Sequence, residues 1–445
     1  MKNRIKQYLL AASMCVGLTA CSDFFEPIPG VQFGLDETFA SKQRTEEYLN
    51  NVYSYVREVT DAIHPNTYGG IFTEASLDGA NRWNKTYAEW TNGSFNSASA
   101  QASEYFSKYY QAIAKASTFI QNVDKCTEAA ASTRGKWKSE ARALRAYYYF
   151  ELLRLYGPIP LIGEDPIPLD ASLEELIKER NSVDECVNFI ATELQSAIDS
   201  GDLLQRAGKA NLGRMDVATC MALKAKLYLY WASPLFNGNT DQASVKNKDG
   251  KQLFPQTEDN SKWTQARDAY ERFMTFATGQ GYKLTEVYTN GKLDPYASCR
   301  AAGEFFTTTW EAVDELIFVK LRDLYDYTYW VCPKFTDFQD TDVTGGGGYY
   351  TTQETVDLFF TKDGLTIEED PGYDKFEGIP GANNFTSGRY YDPNNPSRLY
   401  FDADKSKVLK QWKDREPRFY ANIRFHGEYC SFDDTKRTHN FLNEG

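Results

Sequence analysis

The sequence predicts a mainly α protein in which paired helices form a scaffold under an irregular, loop-rich layer with few short strands. Two observations predict it. Apolar residues recur at helical spacing in segment after segment up to about residue 280. Beyond that point glycine, aromatics and short β-type runs such as residues 315–320 replace the long periodic stretches. The helix lengths suit the antiparallel pairs of a tetratricopeptide-like solenoid, although no fixed repeat period is present.

The elements follow in order. Residues 22–35 carry Pro27, Pro29, Gly30 and Gly34 and read as an extended tether. Ser41 to Ala62 opens on a possible N-cap and places Tyr48, Val52, Tyr55 and Val59 on one face. Residues 104–125 align Phe106, Tyr110, Ile113, Ser117, Ile120 and Asp124. Residues 133–156 form a long apolar helix ending at Gly157, and Pro158 forbids its continuation. Residues 183–200 and 214–236 form a further pair, and 263–277 one more amphipathic helix. Gly345 to Gly348 make a four-glycine loop. The expected division is a leader at 1–20, a helical region at 21–240 and a less regular region at 241–445, the last two forming a single compact unit.

The leader has a chemistry of its own. Lys2, Arg4 and Lys6 precede an apolar stretch, Tyr8 to Gly17. That stretch has the length of a signal-peptide core and is too short to span a bilayer. Leu18-Thr19-Ala20-Cys21 resembles a bacterial lipobox, in which a cysteine thiol takes a diacylglycerol. On that reading Cys21 becomes an acylated N-terminus, and two or more acyl chains anchor stably where one holds only marginally. The chain is then anchored to a membrane by lipid and not threaded through it. An ordinary signal peptide with a chance cysteine is the alternative.

Mean hydropathy is −0.56 and net charge −13. The charge is more negative still without the leader, which holds three basic residues and no acid. That balance argues against nucleic acid and anionic headgroups as partners. Six cysteines lie beyond Cys21: Cys126, Cys186, Cys220, Cys299, Cys332 and Cys430. They are scattered without a CxxC, so neither a zinc site nor a dense disulfide framework is expected. They read as small buried apolar residues, with pairing of some left open for an exported chain. No metal or cofactor is implied.

The motif at Lys138 to Ile162, KSEARALRAYYYFELLRLYGPIPLI, resembles the signature of the SusD/RagB family of Bacteroidetes outer-membrane lipoproteins. Three further segments agree in order: Ala222 to Gly238 (ALKAKLYLYWASPLFNG), Tyr350 to Gly364 (YTTQETVDLFFTKDG) and Asp414 to Tyr420 (DREPRFY). Within these motifs Arg142, Leu144, Tyr147, Tyr148, Tyr149 and Phe150 are expected to pack helices, and Pro417 and Arg418 to fix a turn and an ion pair. The family continues past this point with a further helical pair, so the resemblance makes residue 445 an early stop. It implies a surface lipoprotein on the outer membrane that caps a SusC-like TonB-dependent transporter and passes it oligosaccharide or polysaccharide, in some systems peptide. Cys21-Ser22-Asp23 with Glu26 is similar to the acidic tag that directs such lipoproteins to the cell exterior.

The residues favour binding over catalysis. Aromatics make up 15% of the chain, and flat rings stack on the apolar faces of pyranoses. Most rings belong to cores. The candidates for ligand contact lie in expected loops: Asp78, Asn81, Arg82, Trp83 and Trp90 in one, Tyr325, Tyr327, Tyr329 and Trp330 in the other. Trp310, or Tyr349 and Tyr350 beside the glycine loop, are the fallback. A surface glycoside hydrolase and an adhesin-type lipoprotein are the competing readings. The only histidines are His64, His426 and His439, and no GxSxG or GxxxxGK[ST] is present. A glycosidase needs only two spaced carboxylates, which 62 acidic residues leave open.

Overall fold

The computed structural model describes residues 33–57, 76, 79–81, 89, 93–168, 171–303, 314–320, 349–375 and 380–429. The helical part comprises α1 (Leu35–Ala40), α2 (Lys42–Tyr53), α3 (Ala100–Asn122), α4 (Ala131–Tyr156), α5 (Leu173–Leu176), α6 (Val183–Asp199), α7 (Val217–Ala232) and α8 (Ser261–Gly279). The long helices pack in sequence: α3 on α4, α4 on α6, α6 on α7 and α7 on α8. Each neighbour buries the apolar side of the one before, as in a helical-pair solenoid.

The centre is α4. It is buried on nearly all sides from Trp137 to Leu153, with only Lys138 and Arg142 less buried. It ends where expected. Gly157 adopts φ +69°, and a Cβ there would sit 3.1 Å from the Phe254 ring, so the turn needs both the conformational freedom and the small size of glycine. Three charges are buried along α4. Arg145 is fully buried; its Nε donates to Glu193 Oε2 of α6 at 2.7 Å and its Nη1 to Ser117 Oγ of α3 at 3.0 Å. Glu140 accepts from Tyr53 Oη of α2 at 2.9 Å and Arg214 Nη1 at 3.0 Å. Glu151 pairs with Arg154 at 3.0 Å.

Three expectations are corrected. The expected helix from Ser41 to Ala62 closes at Tyr53, where the Ser54 N–H bonds back to Asn50 O at 3.0 Å. On α3 the buried face is wider than expected: Tyr105, Tyr109, Ala112, Ala116 and Phe119 are buried together with the expected Ile113, Ser117 and Ile120. Of the expected face, Phe106 is 38% exposed. The alanines allow close approach to α4, which a reading weighted by large residues overlooks. Residues 315–320 form no strand; Ile317 O accepts from the Thr219 hydroxyl at 3.4 Å instead of from a ladder partner.

The less regular part contains β2 (Tyr288–Thr289), β3 (Lys292–Leu293), α9 (Pro295–Gly303), β4 (Tyr349–Tyr350), α10 (Gln353–Asp357), β5 (Arg389–Asp392), β6 (Asn395–Asp402) and α11 (Pro417–Asn422); β1 is Ala80–Asn81. Its strands pair antiparallel as β1·β4, β2·β3 and β5·β6. A second core gathers Val356, Tyr400, Phe401, Val408, Phe419, Tyr420 and Phe425. Tyr400 and Tyr420 stack there with centroids 3.9 Å apart. The 414–420 motif builds this core: buried Arg415 donates to Phe359 O at 2.9 Å, Pro417 starts α11, and Arg418 pairs with Glu416 at 2.6 Å. Arg398 clamps both oxygens of Asp294 at 2.8 and 2.9 Å and Asp392 at 2.6 Å, tying the start of α9 to β5·β6. The described cysteines are free thiols; Cys126, Cys186 and Cys220 are buried, and burial pushes the Cys186 thiol up to about 11.

Two predictions follow from these charges. Glu193→Gln leaves the Arg145 guanidinium buried and unpaired. We expect a loss of about 3–5 kcal/mol, measured as a lower denaturant midpoint at unchanged slope; a wild-type midpoint contradicts the role of the pair. The Arg398 guanidinium holds the Asp294 carboxyl at about 2 against 3.8 unfolded. Its contribution is therefore full above pH 4 and lost as pH falls from about 4 to about 2, on the order of 2 kcal/mol. Asp294→Asn should flatten the acid limb of the stability curve in that window.

Candidate functional site

The site is best built from the point where two segments leave the helical scaffold. The first leaves at the end of α2. The last carbonyls of a helix lack intrahelical partners and carry the negative end of its dipole. Just past that end a lysine from far along the chain takes the carbonyls of the turn that follows: Lys320 Nζ donates to Ser54 O at 3.1 Å and to Val56 O at 2.7 Å, 264 residues away from the latter. Lys320 itself heads the second segment, residues 321–348.

Residues 314–320 are held on the scaffold along their length. Arg206 Nη2 donates to Asp314 Oδ1 at 2.8 Å, Thr285 N to Glu315 Oε2 at 3.0 Å, and Thr219 Oγ1 to Ile317 O at 3.4 Å. The Phe318 ring meets Tyr147 of α4 edge-on with centroids 6.2 Å apart. Tyr147 Oη in turn accepts the Arg57 N–H at 3.3 Å, so one tyrosine touches both segments. Its burial raises the phenol's pKa and keeps it protonated. Gly213 completes the seat: at φ +84°, a Cβ would lie 2.9 Å from Val319 O.

A cavity of about 300 Å³ lies at this junction, bordered by Tyr53, Val56, Arg214, Phe318 and Lys320. Its charges are already committed. Arg214 bridges Glu140 at 3.0 Å and Glu46 at 2.8 Å, and Tyr53 Oη accepts the Met215 N–H at 2.9 Å. Burial pushes the Glu140 carboxyl up while Arg214 opposes it. The junction is therefore a fastening and not a ligand pocket.

The two segments meet again further out. Ala80 pairs with Tyr350 and Asn81 with Tyr349 in the β1·β4 ladder, and the Tyr350 side chain is 53% exposed. Of the expected ligand residues, the structure therefore places Asn81, on β1. Asp78, Arg82, Trp83, Trp90, Tyr325, Tyr327, Tyr329 and Trp330 lie outside the described residues, as do Cys21 and Trp310. In chain position Trp83 stands two residues beyond β1 and Tyr325 five beyond Lys320. Sequence reading missed Lys320, Gly213 and the Tyr147 hydroxyl. The available signal was three consecutive tyrosines on one helix. At about 100° per residue they cannot share one face.

A second concavity, about 420 Å³, lies between α3 and the chain after α4, lined by Phe106, Tyr110, Ile113, Pro160, Ile162 and Ile177. Its polar groups are satisfied within the protein: Tyr110 Oη donates to Pro160 O at 2.7 Å, and Ser117 Oγ accepts from Arg145. It offers few directed partners for sugar hydroxyls. Among the described residues no group of His, Cys, Asp and Glu side chains could hold a metal ion, and no helix is long and apolar enough to cross a membrane.

Comparison with known proteins bears on both halves. The family model SusD-like_3, described as starch-binding associating with outer membrane, matches residues 32–229, and that of the SusD family matches 315–442. A SusD-like protein of Bacteroides ovatus is 27% identical over 175 residues, 38% of this chain and 30% of that protein. The solved structure of BT4246 is 25% identical with a TM-score of 0.69, over 88% of this chain and 66% of that one. A laminarin-binding SusD-like protein shares the fold at 18% identity and a TM-score of 0.50, over 72% of this chain and 64% of its own. The chain thus matches less than two thirds of the length of each of these relatives.

Proposed function

The chain belongs to the SusD/RagB family, and from that premise we propose that it is a cell-surface glycan-binding lipoprotein. It captures oligosaccharides and delivers them to a SusC-like TonB-dependent transporter of the outer membrane. Cys21 carries the lipid that anchors it, and the protein faces the cell exterior. It binds its ligand without cleaving it.

The observation that supports this reading is the pairing of β1 with β4, which brings together two stretches that border ring-rich parts of the sequence. Ala80 pairs with Tyr350 and Asn81 with Tyr349, and Lys320, just before one of these ring-rich parts, donates to Val56 O at 2.7 Å. Stacking against a sugar gains affinity only when the rings are already held in place, because ordering them on binding costs entropy. The half-exposed Tyr350 ring lies on β4, where the ladder holds its backbone. The starch-binding description of the matched family and the fold shared with a laminarin-binding protein support a glycan as ligand.

Depletion of soluble polysaccharides from a panel, with the glycan recovered intact, tests the reading; release of new reducing ends would favour the hydrolase. Trp83→Ala and Trp330→Ala should each weaken binding by about 1–3 kcal/mol, by analogy with base stacking on aromatic side chains, at nearly unchanged melting temperature. Much lower melting assigns the rings to a core, and normal melting with normal binding moves the site toward Tyr350. Cys21→Ala should shift the protein from the membrane to the soluble fraction or leave it unprocessed, and a matured, membrane-bound mutant contradicts lipid anchoring.

A further inference from the structure

We propose that the concavity between α3 and the strap of chain that follows α4 is a docking groove for a basic amphipathic peptide. Apolar anchors of the peptide enter the groove, and its flanking cationic side chains meet the acidic strap. The strap comprises residues 160–168 and 171–180. Two ties hold it across α3: Tyr110 Oη donates to Pro160 O at 2.7 Å, and Gln121 Nε2, three turns further along the helix, donates to Asp165 Oδ1 at 2.6 Å. Ile113 and Ala114 of α3 line the concavity together with Ile162, Ile167, Leu176 and Ile177 of the strap. Its volume of about 420 Å³ is in the range of ligand clefts. The hydroxyls of Tyr110 and Ser117 are committed within the protein, so whatever enters must be apolar, because a polar group there would lose its hydration without gaining a partner.

Two features choose the occupant. The first is reach. The groove continues into an exposed aliphatic ridge on α5 and the residue after it: Leu173 is 74%, Leu176 52% and Ile177 68% exposed. The ridge is ordered. Ser172 N donates to Glu175 Oε2 at 2.8 Å, Glu175 N to Ser172 Oγ at 3.4 Å, and Ile177 N to Leu173 O at 3.1 Å. Contiguous exposed apolar surface marks an interaction site. A small molecule filling the groove would leave Leu173 bare, whereas a helical peptide with anchors on successive turns covers groove and ridge together. The second feature is charge. Residues 163–180 hold six acidic residues against Lys178 and Arg180, and Lys178 is the one base among the groove's lining residues. Glu164, Glu174 and Glu179 are exposed. Arg142 lies 3.9 Å from Glu164 and is shared with Glu193 at 3.6 Å, so it leaves the rim acidic. An apolar groove with an acidic rim is complementary to a peptide with an apolar face and basic flanks.

No glycan enters the experiment, which therefore stands apart from the glycan-binding reading. A fluorescein-labelled helical peptide of about fourteen residues, leucine on one face and lysine on the other, is titrated with the full chain and followed by anisotropy. Binding should saturate and be about tenfold tighter than that of a counterpart with glutamate in place of lysine. Ala114→Trp fills the groove from an exposed helix position and should weaken binding about tenfold at an unchanged melting temperature. Glu164→Lys combined with Glu179→Lys should weaken it about fivefold at about 0.05 M salt and lose most of that effect at about 0.5 M, where charges are screened. The effect of Ala114→Trp should persist at the higher salt. If Ala114→Trp melts lower, Ile177→Asp, at a position 68% exposed, replaces it and must weaken binding as much. The proposal is overturned by absence of saturable binding, by equal binding of the glutamate counterpart, or by wild-type affinity in the groove variant. Binding of decylamine without binding of the peptide makes the concavity a small-molecule pocket and overturns it as well.

Discussion

The pairing of buried charges along α4 is the constraint on which the rest depends. A helix surrounded on all sides has no solvent in which to leave a charge, and an unpaired buried ion costs several kcal/mol. Glu140, Arg145 and Glu151 must therefore each meet a partner, and the partners come from different places. Tyr53 comes from α2, Arg214 from the approach to α7, Glu193 from α6 and Ser117 from α3. Apolar packing alone would tolerate a helix sliding or rotating by a residue. The ion pairs do not, because any such shift strands a charge.

The same helix supports the candidate site. Tyr147, Tyr148 and Tyr149 send their hydroxyls in different directions: to the Arg57 N–H, to the Val52 carbonyl at the end of α2, and to the backbone of Ile162. Each hydroxyl meets a backbone group where a regular element ends and leaves polar groups needing partners. A motif that reads as packing is thus also the foundation from which the irregular segments depart. Lys320 works on the same principle, supplying donors where α2 runs out of them.

What was legible in the sequence divides along a physical line. The end of α4 at Gly157-Pro158 was legible because proline lacks an N–H and only glycine tolerates φ +69° against Phe254. The start of α11 at Pro417 and the Glu416–Arg418 pair were legible for similar local reasons. The buried face of α3 was legible at Ile113, Ser117 and Ile120 but not at Ala112 and Ala116, whose contribution is closeness and not bulk. Residues 315–320 have the composition of a strand, but a strand needs a ladder partner, and here Ile317 O accepts from the Thr219 side chain.

The sequence by itself determined the mainly α class, the five long helices from α3 to α8 and the motifs that place the chain in its family. Each of these rests on interactions within a few residues: periodicity, capping, and the stereochemistry of glycine and proline. It also singled out the two ring-rich segments, since ring density is a property of composition. Only the tertiary structure decided that Lys320 meets the end of α2 and that Ala80–Asn81 pairs with Tyr349–Tyr350. The contact of Lys320 with the end of α2 and the pairing of Asn81 with Tyr349 join residues more than 260 positions apart. Such contacts depend on where a whole scaffold brings two chain exits, and no local spacing encodes that.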